Sequence, residues 1–128
     1  MPTPFYVEYR LRGDAREYSN WARSRCLRKA RKLGIGRPKK RRPVPHITLF
    51  GPARTDNMRR VVAEVERISR KYGLIPFQIG GLDRFNDSTQ VVYLDVAPSR
   101  TLEEFRRELA ESLTRISTGY QTWDTAHK

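Results

Sequence analysis

Apolar residues in this chain recur with two different periods, and the points where one period gives way to the other divide it into seven segments. From Phe5 to Leu11 the period is two, with Phe5, Val7, Tyr9 and Leu11 on one side and Tyr6, Glu8 and Arg10 on the other. That alternation is the mark of a half-buried strand. Gly13 then turns the chain, and Asp14 followed by Glu17 suits a helix start. Tyr18, Trp21, Ala22, Cys26, Ala30 and Leu33 follow at helical spacing up to Gly34. They are expected to form that helix's core face, opposite Arg16, Arg23, Arg28, Arg31 and Lys32.

The same reading carries on to the C-terminus. Gly36 to Pro43 is a basic loop, and His46 to Phe50 is a short strand closed by Gly51-Pro52. Asp56 is the expected cap of a second helix, with Met58, Val61, Val62, Val65, Ile68 and Tyr72 on one face and Gly73 as its stop. Pro76–Leu82 and Gln90–Val96 read as strands joined by Asp83–Thr89. Thr101 and Glu104 suggest the start of a third helix carrying Leu102, Phe105, Leu109 and Leu113, and Ser117–Lys128 is a polar tail. The order β-α-β-α-β-β-α favours an α+β fold with antiparallel sheets and outer helices. A half-repeat is also visible. His46 follows Asp14 by 32 positions, and the same offset from Ser99, where the second strand–helix unit opens its helix, falls just past Lys128. If the units are related, the second one is short of its partner strand.

Composition narrows the partners. The 128 residues carry 26 Lys and Arg against 14 acids, a formal net charge of +12, which favours a polyanion and nucleic acid first. No apolar run approaches the roughly 20 residues that span a bilayer, and MPTPFYVEYR lacks the pattern of a signal peptide. A cytoplasmic protein without a membrane partner is expected. The single cysteine, Cys26, excludes an internal disulfide, and two histidines without a cysteine cluster give no zinc pattern. Paired carboxylates, a Gly-rich phosphate loop and a Ser/His/Asp set are not evident.

The residues with chemistry to offer are His46 and Thr48. On a strand they point to one face, while Ile47 and Leu49 point to the other. An imidazole exchanges a proton near neutral pH, and a neighbouring hydroxyl can donate to a phosphate oxygen. The pair therefore suits a phosphoester. Such a His is otherwise most often a surface or hydrogen-bonded residue, but here it opens an apolar strand just after a basic loop.

The run PHITLFGP resembles the first signature of the two-histidine phosphoesterase superfamily, which includes the RNA 2′,3′-cyclic phosphodiesterases long called 2′-5′ RNA ligases. FYVEYRLRG, the first helix and VVYLDVAPSRTLEEFRRELAESL are similar to that family too, so the resemblance covers nearly the whole chain. It implies a bilobal, pseudo-twofold fold, with residues 1–128 as one two-lobed domain whose second lobe is incomplete. Each lobe would give one His-x-Thr/Ser motif to a central cleft. One histidine would act as general base and the other as general acid, the hydroxyls would hold the phosphate, and no metal or organic cofactor would be needed. His46 and Thr48 match one such motif as the catalytic pair. No second His-x-Thr/Ser follows, and His127 is succeeded only by Lys128.

The implied activity is the opening of RNA 2′,3′-cyclic phosphates to 2′-phosphates. A non-catalytic RNA-binding module that keeps the fold is the alternative. Arg41 and Arg42, in the loop before the motif, are candidate backbone contacts, against the plainer reading of a solvated loop. Phe85 is a candidate base-stacking residue, against that of a buried hairpin aromatic. Trp123 suits an apolar anchor as well as a ligand contact.

Overall fold

A computed structural model describes residues 1–34, 45–84 and 92–124, without the side chains of Arg84, Val92 and Trp123. The elements run β1 (Thr3–Arg10), α1 (Gly13–Lys32), β2 (His46–Thr55), α2 (Met58–Ser69), β3 (Phe77–Arg84), β4 (Val92–Pro98) and α3 (Arg100–Leu113). A short 3-10 turn, Thr122–Asp124, follows. β1 pairs with β2 and β3 with β4, giving two small antiparallel sheets and the expected α+β architecture.

The chain divides into two compact units, one of Met1–Glu8 with Thr48–Lys128 and the other of Tyr9–Ile47. In the first unit, β2 supplies Leu49, Phe50 and Ala53 to the core. α2 adds Val61 and Ile68, Ile75 follows, and α3 adds Leu102, Phe105, Leu109, Ala110 and Leu113. Val61 and Ile68 lie two turns apart, and Leu102, Phe105, Leu109 and Leu113 recur at three- and four-residue steps, so each helix buries one stripe. Polar links join the two helices beside that core. Tyr72 Oη donates to Glu108 Oε1 at 2.7 Å, Lys71 Nζ donates to Glu108 Oε2 at 3.0 Å, and Ser112 Oγ donates to Glu64 Oε2 at 2.6 Å. The Tyr72 and Phe105 rings lie 4.9 Å apart. β3 and β4 pair from Phe77↔Pro98 to Ile79↔Val96 and again from Leu82↔Leu94. The register shift between them falls on Gly80-Gly81, where missing side chains make a bulge cheap.

The second unit holds the end of β1, α1 and the start of β2. Leu11 is buried, and its N–H donates to the Pro45 carbonyl at 3.0 Å, extending the ladder beyond β1. α1 corrects the expected core face. Tyr18, Trp21, Cys26 and Leu33 are exposed, and the better covered residues are Ala15, Ser19, Asn20, Ala22, Arg23, Leu27 and Ala30, of which Ala22 is buried. Arg23, expected on the opposite face, thus lies on the better covered side together with the three alanines.

Four boundaries also differ. The cap of α2 is Asn57, whose side chain accepts from the Arg60 N–H at 3.1 Å, rather than Asp56. The cap of α3 is Ser99, accepting from the Leu102 N–H, rather than Thr101. α1 begins at Gly13 without a side-chain cap, and Asp14 sits within its first turn. Finally, β2 does not end at Gly51-Pro52. It continues to Thr55 through a cis Gly51–Pro52 bond.

Candidate active site

β2 carries the candidate site. His46 and Thr48 are both exposed, Ile47 between them is half-buried and Leu49 is buried. The alternation places the imidazole and the hydroxyl on the solvent side of one strand, two residues apart and therefore on one face. Phe50 ends that open face. It shares the parity of His46 and Thr48 yet is wholly buried, its ring stacked on Phe5 with centroids 6.0 Å apart. The opposite side of the strand stays covered through Gly51, Ala53 and Thr55. An exposed proton-transfer group beside an exposed donor, anchored from behind by core residues, can meet a phosphate from solvent.

The segment after α3 holds the far half of this strand. Arg54 and Thr118 exchange both backbone hydrogen bonds at 2.8 Å, and Thr55 Oγ1 donates to the Ile116 carbonyl at 2.9 Å. Asp124 is fully buried. Both its oxygens accept from the Gly51 N–H at 3.3 Å, and Oδ2 accepts from the Gln121 N–H at 3.0 Å. Gln121 Nε2 in turn donates to the Pro52 carbonyl at 3.2 Å. Gly51 has φ +91°, and a Cβ there would lie 3.1 Å from the Phe5 carbonyl oxygen and from the Tyr6 Cα and Cβ. Only glycine suits both the backbone angle and the close approach of β1. The polar tail expected from the sequence is thus a clamp on the strand three to seven residues beyond Thr48. A lone carboxylate in a polar stretch has no periodicity to betray it, and sequence reasoning missed Asp124.

Arg41, Arg42 and Phe85, the other candidate ligand contacts, lie outside the described residues, as does His127. A groove of about 330 Å³ among the described residues lies elsewhere. It is lined by Arg60, Glu64, Arg67, Glu108, Glu111 and Arg115 among others, and includes neither His46 nor Thr48. Its charges answer one another. The Arg67 guanidinium and the Ser112 hydroxyl, both hydrogen-bonded to Glu64, hold that carboxyl down at about 2. Burial, reinforced by Glu108, pushes the Tyr72 phenol up to about 12. Among the described residues there is no group of three or more His, Cys, Asp or Glu side chains placed to hold a metal ion, and no helix is long and apolar enough to cross a membrane.

Residues 17–124 match the family model of the 2′-5′ RNA ligase superfamily. A candidate phosphoesterase of Geobacillus sp. (strain WCH70) is 28% identical over 78 residues, which make up 59% of this chain and 45% of that protein. The match therefore spans less than half the length of that relative. No solved structure matches the chain.

Proposed function

The chain belongs to the 2′-5′ RNA ligase superfamily, and on that footing we propose that it serves a phosphoesterase that opens RNA 2′,3′-cyclic phosphates to 2′-phosphates. The observation that carries the reading is the exposed His46–Thr48 face on a strand whose other face is core. In this proposal His46 moves a proton and the Thr48 hydroxyl donates to a non-bridging phosphate oxygen. Arg41, Arg42 and Phe85 are proposed contacts to the rest of the RNA, and the excess of basic residues favours a polyanionic substrate.

Opening the ring requires two proton transfers. The water that attacks phosphorus gives one up, and the departing 3′-oxygen takes one. These events lie on opposite sides of the phosphorus, so a single imidazole cannot serve both. His46 is proposed to serve one side, and a second His-x-Thr/Ser, from sequence other than these 128 residues, the other. Two lobes in one catalytic domain is the arrangement this proposal entails.

The test is hydrolysis of a 2′,3′-cyclic nucleotide by the protein joined to its second motif. His46→Ala should lower the rate by about 10²–10⁴, the usual contribution of a general acid or base. Thr48→Val should be milder, removing one phosphate contact while keeping the shape. Turnover by His46→Ala within about threefold of the wild type would remove His46 from the chemistry. RNA binding with no hydrolysis by the wild type would favour the non-catalytic module instead.

A further inference from the structure

The outer face of α1 has a composition that the phosphoester site leaves unexplained. Tyr18 and Trp21 are 44% and 52% exposed, although burying their rings would be strongly favourable. The two rings sit 5.7 Å apart with their planes tilted by 33°, and the Arg25 guanidinium lies over the Trp21 ring at 5.0 Å. Continuing at helical steps along the same arc come Arg28, Lys29 and Lys32, all exposed. The stripe from Tyr18 to Lys32 is about 21 Å long at 1.5 Å per residue. α1 as a whole holds seven Arg and Lys against Asp14 and Glu17, a net charge of +5.

We infer that this face of α1 binds single-stranded RNA, with an unpaired base stacked against Tyr18 and Trp21 and the backbone phosphates tracked by Arg25, Arg28, Lys29 and Lys32. Each part of the stripe answers one part of that ligand. Unpaired bases offer π-faces to exposed aromatic rings, and a phosphate chain offers repeated charge to a row of cations. A duplex hides its base faces and engages only the cations. A lipid surface fits poorly, because the apolar part of the face is two adjacent rings and not a broad stripe along the helix. The choice of RNA over other single strands rests on the proposed function. The stacking and charge arguments do not.

Binding of an unstructured RNA of about ten nucleotides, and of the same sequence as a duplex, can be followed by fluorescence anisotropy at several salt concentrations. Trp21→Ala should weaken single-strand binding roughly tenfold, within the range of one base–aromatic stack, and leave duplex binding within about twofold. Trp21→Phe should recover most of the loss. Arg25→Gln with Arg28→Gln should weaken both ligands and reduce the single-strand salt slope by about 1.4, at ~0.7 per phosphate contact. Unchanged single-strand binding by Trp21→Ala, an equal loss on duplex, or a loss that tracks a lower melting temperature would each overturn the assignment. So would a change confined to self-association. Binding is read without turnover, so a failure here is distinct from a failure of the catalytic reading, which His46→Ala tests.

Discussion

Removing the Asp124 carboxylate should destabilise the protein, although it lies in a polar segment outside the α-helices and sheets. Asp124 is wholly buried, and its carboxylate accepts from the backbone N–H groups of Gly51 and Gln121. Burying a carboxylate costs several kcal/mol by itself, and Asp124→Ala would relieve that cost. It would also strand two donors. The Gln121 N–H is half-buried and can turn to water, but the Gly51 N–H is inside the protein. A buried donor left unpaired costs about 1–3 kcal/mol, and hydrogen bonds to charged groups fall in the upper half of their usual range. Hydrogen bonds to charged groups contribute about 1.5–3 kcal/mol after desolvation is counted, so the loss should be about 2–3 kcal/mol. At roughly 4 °C per kcal/mol for a domain of this size, the melting temperature should fall by about 8–12 °C. Asp124→Asn keeps one carbonyl oxygen, and Oδ2 alone reaches both donors, so its loss should be about half as large. Thermal and urea unfolding followed by circular dichroism measure both. An Asp124→Ala protein melting within 2 °C of the wild type would refute the clamp, and one melting higher would show that the burial cost outweighs the hydrogen bonds.

Other outcomes follow from the same geometry and charge. Gly51→Ala should cost about 1–3 kcal/mol in unfolding experiments, because it forces a side chain into φ +91° and into the Phe5 and Tyr6 backbone at 3.1 Å. Glu64 is held at about 2 in the folded protein against an ordinary 4.5, so its contribution is present above pH 4.5 and is lost as pH falls towards 2. Glu64→Gln or Ser112→Ala should flatten the fall of melting temperature across that window. Replacing Arg41 and Arg42 by Gln should weaken RNA binding and reduce its salt slope, and an unchanged slope would return that loop to the solvated reading.

The order of elements was legible because the periods of apolar residues switch cleanly. Phe5 to Leu11 and the α3 stripe of Leu102, Phe105 and Leu109 need no tertiary information. Caps were harder. Asp56 and Asn57 are adjacent acceptors, and only the backbone angles decide that Asn57 turns back onto Arg60. The face of α1 was misread because its large aromatics, Tyr18 and Trp21, are exposed while the polar Asn20 and Arg23 are half-covered, an arrangement that apolar spacing does not reveal. Gly51-Pro52 looked like a stop because both residues punctuate structure. The strand passes through because Asp124 takes the Gly51 N–H, Gln121 reaches the Pro52 carbonyl and Thr118 pairs with Arg54. Those partners lie too far along the chain for any local pattern to reveal them. The motif face itself was readable from alternation, and the exposure of His46 and Thr48 agrees with it.

The same partners carry a consequence for the order in which the molecule assembles. The bonds that tie β2 to the segment after α3 join residues 61 to 73 positions apart. Closing a loop of that length costs about 4 kcal/mol of chain entropy before any contact repays it. Contacts of such high sequence separation also slow folding. During synthesis the strand bearing His46 and Thr48 emerges early, but its far half has no tether until Ile116 to Asp124 leave the ribosome. The strand therefore waits on residues made some 61 to 73 positions after their partners in it, and a nascent chain halted before Gln121 should present that strand to chaperones and proteases.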